Sequence, residues 1–361
     1  MNRGVWAIVL SVTMLALAGC EGEGASGAAP ELPYTAFFSP LPEAPLFPTT
    51  NAFSDEKRTL GEFLFWDPIL SGQMNVSCAS CHHPEFAWSD GRPKSIGADG
   101  QGLGPERVGQ QVTPFHSPTV LDSGFAGIGN AALPTYFESG PYFWDARAAT
   151  LEAQALDPIR SALEMRGPFL TDTEIFPEIV SRLNAIPEYQ TLFQAAFEGP
   201  DPISMDNVAK ALATFQRTLI SAPTRFDAFL AGDESALTAD EVTGLNKFIN
   251  AGCTDCHSGP MLSDFIIRPT QPVLENLDAV RTAPLRNVAL TPPYMQDGSQ
   301  ATLRDAVALY EDRDDLGVTL EDDDFGDIER FLNTVNTSRF YGEVPTYVPS
   351  QLPVGGDILG P

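Results

Sequence analysis

The sequence predicts an all-α fold of two modules separated by long irregular loops. Three observations carry this. Apolar residues recur at helical spacing behind capping residues in four segments, beginning at Ser54, Asp206, Thr238 and Thr302. No segment shows the strict apolar–polar alternation of a half-buried strand. The pattern Cys-x-x-Cys-His occurs twice, at residues 78–82 and 253–257, once in each half of the chain. With 361 residues there is enough chain for each half to bury its own core. The 21 Lys+Arg against 48 Asp+Glu give a formal charge of −27, which argues against nucleic acid and anionic lipid headgroups as partners.

The first segment is an address. Arg3, the apolar run over residues 5–17 and Leu17-Ala18-Gly19-Cys20 read as a lipoprotein signal peptide (1–19) with Cys20 as the lipidated residue. The run is shorter than the ~20 residues that a membrane span needs. Glu21 is not the Asp that retains lipoproteins at the inner membrane, so the expected location is the periplasmic side of the outer membrane, held by the lipid. Residues 20–50, beginning with a Gly/Ala/Glu/Pro-rich stretch to Pro33, are expected as a flexible tether.

Within the first module (51–222), Ser54 caps a helix with Leu60, Phe63 and Leu64 on its apolar face, ending at Asp67-Pro68. High Gly and Pro density between Asp90 and Pro141 predicts loops. Asp206 is the expected cap of a helix carrying Val208, Leu212, Phe215 and Leu219. Ser221-Ala-Pro-Thr224 marks the hinge to the second module (223–345). There Thr238 and Glu241 form a capping box for a helix with Val242, Leu245, Phe248 and Ile249 inward, running into Cys253 as the first helix of a cytochrome c fold does. Thr302 opens a last helix bearing Leu303, Ala306, Val307 and Tyr310 at helical spacing. The acidic stretch 311–327 reads as a solvated face and 346–361 as a tail.

With Cys20 set aside, the remaining cysteines are the pairs Cys78/Cys81 and Cys253/Cys256, each followed at once by His82 or His257. This is the attachment pattern of c-type haem: two thioethers hold the porphyrin edge and the adjacent histidine ligates iron. Two covalent haems c are therefore expected. Zinc would need ligands from separated segments, and a disulfide would leave both histidines unexplained. Only His83 and His116 remain as further imidazoles. His83 adjoins His82 and cannot reach the opposite haem face, whereas His116 is conceivable there. Near the second haem the candidate ligands are Met261, Met295 and Tyr310.

The chain resembles the bacterial di-haem cytochrome c peroxidases, and within them the MauG-like branch. The resemblance rests on Leu60-Gly-Glu-Phe-Leu-Phe-Trp66 through Ser71, Ser117-Pro-Thr-Val120, Phe143-Trp-Asp-Ala-Arg147, Thr150-Leu-Glu-Ala-Gln154, Leu285-Arg-Asn-Val-Ala-Leu-Thr291, and Pro293-Tyr-Met-Gln-Asp-Gly298. It implies that Trp144 carries electrons between two haems, that Gln154 and Glu164 are the polar pair of a peroxide pocket, and that Pro158 shapes its face. It implies Tyr310, in place of the more usual Met, as the second haem's sixth ligand. A phenolate is a harder ligand than a thioether and favours ferric iron.

Two departures are informative. The family's distal His in a Ser-Ile-Gly-His run is Ala98 here, which cannot ligate iron, so the resemblance implies a permanently open first haem. His116 stands where the family has a calcium-ligating Asn. Thr291 and Pro293 are retained as carbonyl donors, leaving a calcium ion as an expectation set against the hard cation's preference for oxygen. The implied activity is reduction of hydrogen peroxide, with Glu164 moving a proton. A redox partner supplies the electrons: a cytochrome c, a cupredoxin or an oxidised protein substrate as in MauG. Simple peroxide detoxification is the alternative enzyme, a pure electron carrier or haem sensor the alternative of another class, and a homodimer is the oligomer the family suggests.

Overall fold

A computed structural model describes residues 34–128, 140–269, 279–311, 316–339 and 343–355; the signal segment, Cys20 and the tether to Pro33 lie outside them. Helix α1 (Asp55–Trp66) begins where Ser54 accepts a hydrogen bond from the Lys57 amide, with Asp55 and Glu56 in the first turn where the helix dipole favours them. It stops at Asp67, whose carboxylate accepts from the Ile69 amide as Pro68 turns the chain away. α2 (Leu151–Arg160), α3 (Ile175–Asn184) and α4 (Pro187–Ala196) follow the loops, then α5 (Met205–Thr218). The cap of α5 is Ser204, not Asp206: Ser204 is extended and its hydroxyl accepts from Asn207. Asp206 is already in the first turn and pairs with Lys210 at 2.7 Å.

In the second half, α6 (Arg225–Leu230) is capped by Thr224, α7 (Ala239–Asn250) by the Thr238/Glu241 box, and α8 (Leu303–Ala308) by Thr302. α9 (Asp324–Leu332) closes the module. One antiparallel ribbon, β1 (Ile267–Pro269) with β2 (Ala279–Arg281), is the only sheet among the described residues, so the expected all-α class holds. The loops between residues 90 and 128 contain short 3-10 turns and two isolated bridges, Ile96 with Val112 and Gln101 with Val108.

Each half is locked by the same device. A Cβ at Gly61 of α1 would overlap the Ala211 carbonyl of α5, and one at Gly244 of α7 would overlap the Asp327 carbonyl of α9. Two helices thus cross with backbones in contact in both halves. A second repeated unit is a hairpin closed by Tyr142 with Ala148 in the first half and Tyr294 with Gln300 in the second. Each hairpin follows a cis proline, Pro141 or Pro293, and leads into a Thr-capped helix, α2 or α8. The halves meet at two left-handed residues, where Asn287 Nδ2 donates to Asp122 Oδ2 at 3.0 Å. Ser221 of the expected hinge is pinned to the same carboxylate through its amide and hydroxyl, both at 2.8 Å.

Residues 34–50, expected within the tether, are packed. Phe38 is buried against Phe226, Phe248 and Phe331, the Gly259 amide donates to Phe37 O, and Tyr34 Oη reaches Asn246 at 3.1 Å. The chain end also returns to the first half. Val348 is fully buried in its core, Ser350 Oγ donates to Asp67 at 2.7 Å, and Ser80, between the first pair of cysteines, donates to Gly355 O at 2.9 Å. The acidic stretch is partly consumed in packing, since Asp324 and Asp327 of α9 both pair with Lys247 of α7.

Candidate haem site

Both Cys-x-x-Cys-His segments fold alike. A 3-10 turn begins at the first cysteine (Cys78–Ser80, Cys253–Asp255), and the histidine amide donates back to that cysteine's carbonyl, His82 to Cys78 at 3.0 Å and His257 to Cys253 at 2.8 Å. His82 Nδ1 lies 3.1 Å from Trp88 O and His257 Nδ1 lies 3.0 Å from Leu262 O. A carbonyl only accepts, so each Nδ1 carries the proton and each Nε2 keeps its lone pair for a metal. Burial holds both rings neutral, pushing His82 down to about 4 and lowering His257 as well. Ser117 rests beside the first ring, its hydroxyl donating to Cys81 O at 3.0 Å. All four cysteines are unpaired, and burial pushes Cys78, Cys81 and Cys253 up to about 12 and raises Cys256. Thiols of this kind are poor thiolate ligands. Among the described residues no cluster of three or more His, Cys, Asp or Glu is placed to hold a metal ion.

The two histidines line one continuous cavity of about 490 Å³. Its walls include Phe65, Leu121 and Leu212 near the first motif and Phe248, Leu303 and Leu332 near the second. Ser77 Oγ and Gln296 Nε2 are buried on these walls with no partner in the protein. Apolar walls, paired imidazole lone pairs and orphaned polar atoms are what a flat apolar macrocycle with carboxylate arms would satisfy, so the residues fit haem.

The residues expected around the first haem converge on the cavity. Gln154 and Pro158 are one turn apart on α2 and share its inner face, and Glu164 follows in the turn after it. The Glu164 amide donates to Ser161 Oγ at 3.3 Å. Burial raises the Glu164 carboxyl above its ordinary value, offset in part by Arg147, which itself is engaged by Asp145 and Asp157. Ala98 is buried but does not line the cavity. Its amide donates to Leu163 O at 3.0 Å, so it backs the strand of chain that presents Glu164. Trp144 lines the cavity from the first hairpin, its Nε1 donating to His116 O at 3.0 Å and its carbonyl accepting from the Arg281 amide at 2.8 Å.

Tyr310 lies just beyond α8, whose last helical residue is Ala308, and lines the second part of the cavity together with Met261 and Met295. Thr291 and Pro293 also line it. His116 Nδ1 lies 2.7 Å from Arg92 O, so this ring donates to a carbonyl and offers no oxygen. The carbonyl of His116 is taken by Trp144, and that of Gln296 by the His116 amide at 2.8 Å. Position 116 therefore offers no side-chain oxygen to join Thr291 and Pro293, and this set lacks its third expected oxygen donor for calcium. Ser77, Ser95, Ser117, Gln296 and Arg281 were not anticipated as site residues: they lie on loops and ribbon ends, where no periodicity marks an inward side chain.

A family model for di-haem cytochrome c peroxidases matches residues 55–235. The chain belongs to this family. It is an enzyme of the di-haem peroxidase class, similar over nearly its whole length to members from two branches. It is 34% identical to the cytochrome c551 peroxidase of Pseudomonas aeruginosa, over 86% of this chain and 87% of that one. It is also 34% identical to the methylamine utilization protein MauG of Methylorubrum extorquens, over 84% of this chain and 83% of that one. Among solved structures, a MauG-like protein associated with microbial copper homeostasis superposes with a TM-score of 0.68 at 29% identity, covering 82% of this peroxidase and 95% of that chain. The diheme peroxidase BthA of Burkholderia thailandensis shares the fold, with a TM-score of 0.61 at 20% identity.

Proposed function

We propose that this di-haem peroxidase reduces hydrogen peroxide at an open first haem held by His82, drawing electrons through Trp144 from a second haem held by His257 and Tyr310, in the MauG-like manner. The observation that carries the reading is the placement of Glu164, a carboxyl raised by burial, in the same cavity as His82 and beside Gln154 and Pro158. Thioethers from Cys78, Cys81, Cys253 and Cys256 would hold the two haems, which supply the redox chemistry when bound. Gln154 orients the peroxide by hydrogen bonding. Glu164 takes a proton from one peroxide oxygen and returns it to the other, so that the departing oxygen leaves as water. No step requires calcium. Tyr310 on the cavity wall favours MauG-like chemistry on a partner protein over simple detoxification with a cytochrome c or cupredoxin donor. The lipobox at Cys20 supports anchoring on the periplasmic side of the outer membrane. The decisive experiment is Glu164→Gln in the di-haem protein. Peroxide consumption should fall on the order of a hundredfold or more with both haem spectra retained; turnover at the wild-type rate would remove Glu164 from the mechanism.

A further inference from the structure

His116 lies where the first-half loop, the first hairpin and the second hairpin come together. His116 is 5% exposed and is bonded at three points. Its ring donates from Nδ1 to Arg92 O at 2.7 Å, its amide donates to Gln296 O at 2.8 Å, and its carbonyl accepts Trp144 Nε1 at 3.0 Å. Arg92 is in turn fixed, donating from Nη1 to Gly104 O at 3.2 Å, Pro105 O at 2.7 Å and Arg107 O at 2.9 Å, and from its amide to Asp90 at 3.1 Å. Gln296 belongs to the second hairpin and Trp144 to the first. One residue therefore ties a first-half loop, the second-half hairpin and the indole together. The neighbouring residues are anchored too, Phe115 O by Thr113 Oγ1 at 2.9 Å and Ser117 by Cys81 O at 3.0 Å, and the ring bond to Arg92 O adds the anchor at the residue that holds the indole.

We propose that His116 is the positioning residue for Trp144 and replaces a calcium ion at the junction of the halves, so that charge transfer across the cavity is independent of divalent cations. The proposal rests on the reading of Trp144 as the relay. Asn places a donor nitrogen close to where His has Nδ1, whereas Phe fills the same space and has none.

The test uses the two-haem protein and stopped-flow spectroscopy of the second haem after peroxide is added at the first. In the wild type, neither chelation with EGTA nor added CaCl₂ should change the transfer rate or the thermal midpoint. In EGTA, His116→Phe should slow transfer by about tenfold or more, as expected when a reacting group loses its placement. His116→Asn in EGTA should restore most of the rate, a rescue that a purely space-filling role would not show. A calcium-dependent rate or midpoint in the wild type would overturn the proposal without any variant needing to fold. So would a wild-type rate in His116→Phe with both haem spectra intact. Trp144→Phe reports on the relay separately: a wild-type rate there refutes the relay and with it the positioning role, while calcium replacement still stands or falls on the EGTA comparison.

Discussion

At the residue scale the proposed chemistry turns on two side chains, Glu164 and Tyr310. Burial raises the Glu164 carboxyl, and a base must be deprotonated to accept a proton. Its acidic limb follows from that sign: peroxide turnover should fall as pH drops through a value above the ordinary carboxylate range, and Glu164→Gln should abolish that limb in a pH profile of kcat/KM. A limb unchanged by the substitution would assign it to another group. Tyr310 makes the second residue-scale prediction. If its phenolate ligates the second haem, Tyr310→Met should raise that haem's reduction potential and leave the first unchanged, as read by spectroelectrochemistry; an unmoved potential would point to Met261 or Met295 instead. Asp227 belongs to the same scale but concerns stability. It pairs with the buried Arg286 at 2.7 Å, and its carboxyl is held below the ordinary value. A depressed carboxylate stabilises the fold fully above its unfolded pKa and loses that contribution as pH falls through the folded value. Asp227→Asn should cost about 3–5 kcal/mol at neutral pH, since it strands a buried guanidinium, with a smaller difference under strong acid.

The paired helix crossings at Gly61 and Gly244 carry the architecture at the level of elements. Neither position admits a Cβ without displacing a main-chain carbonyl. Gly61→Ala should therefore lower stability by about 1–3 kcal/mol in a denaturant titration, although alanine is the better helix former. Elements were legible where a cap and an apolar stripe coincided. Ser54, Thr238 and Thr302 each begin the helix they predict, while Asp206 misled because the cap, Ser204, stands two residues earlier. α2, α3 and α4 escaped notice: Pro158 interrupts the first pattern, and α3 and α4 begin without a side-chain cap, Pro187 standing at the first position of α4. α9 was hidden by its own acidic residues, which read as solvated until Lys247 is placed opposite them. The two Cys-x-x-Cys-His turns were legible because their pattern is local. The orphaned Gln296 amide was not, because its meaning depends on a cavity assembled from both halves.

At the scale of the whole molecule, the described residues fold back onto the halves near both of their ends. Residues 34–41 lie over the second half, while residues 343–355 lie over the first and touch its Cys78–Ser80 turn through Ser80. Ending the chain at residue 342 would remove Val348 from the core and both Ser350 bonds from Asp67. The shortened protein should unfold at a lower temperature, with the first haem's spectrum disturbed more than the second's. An equal effect on both would argue against a local tie. The central claim concerns the cavity that joins the two halves: one haem open to peroxide and one closed by a second protein ligand. The electron paramagnetic resonance spectrum of the ferric protein, before and after one equivalent of hydrogen peroxide, tests it most directly. The account predicts one high-spin and one low-spin haem, with the high-spin signal lost on peroxide addition; two low-spin haems that do not respond would contradict it.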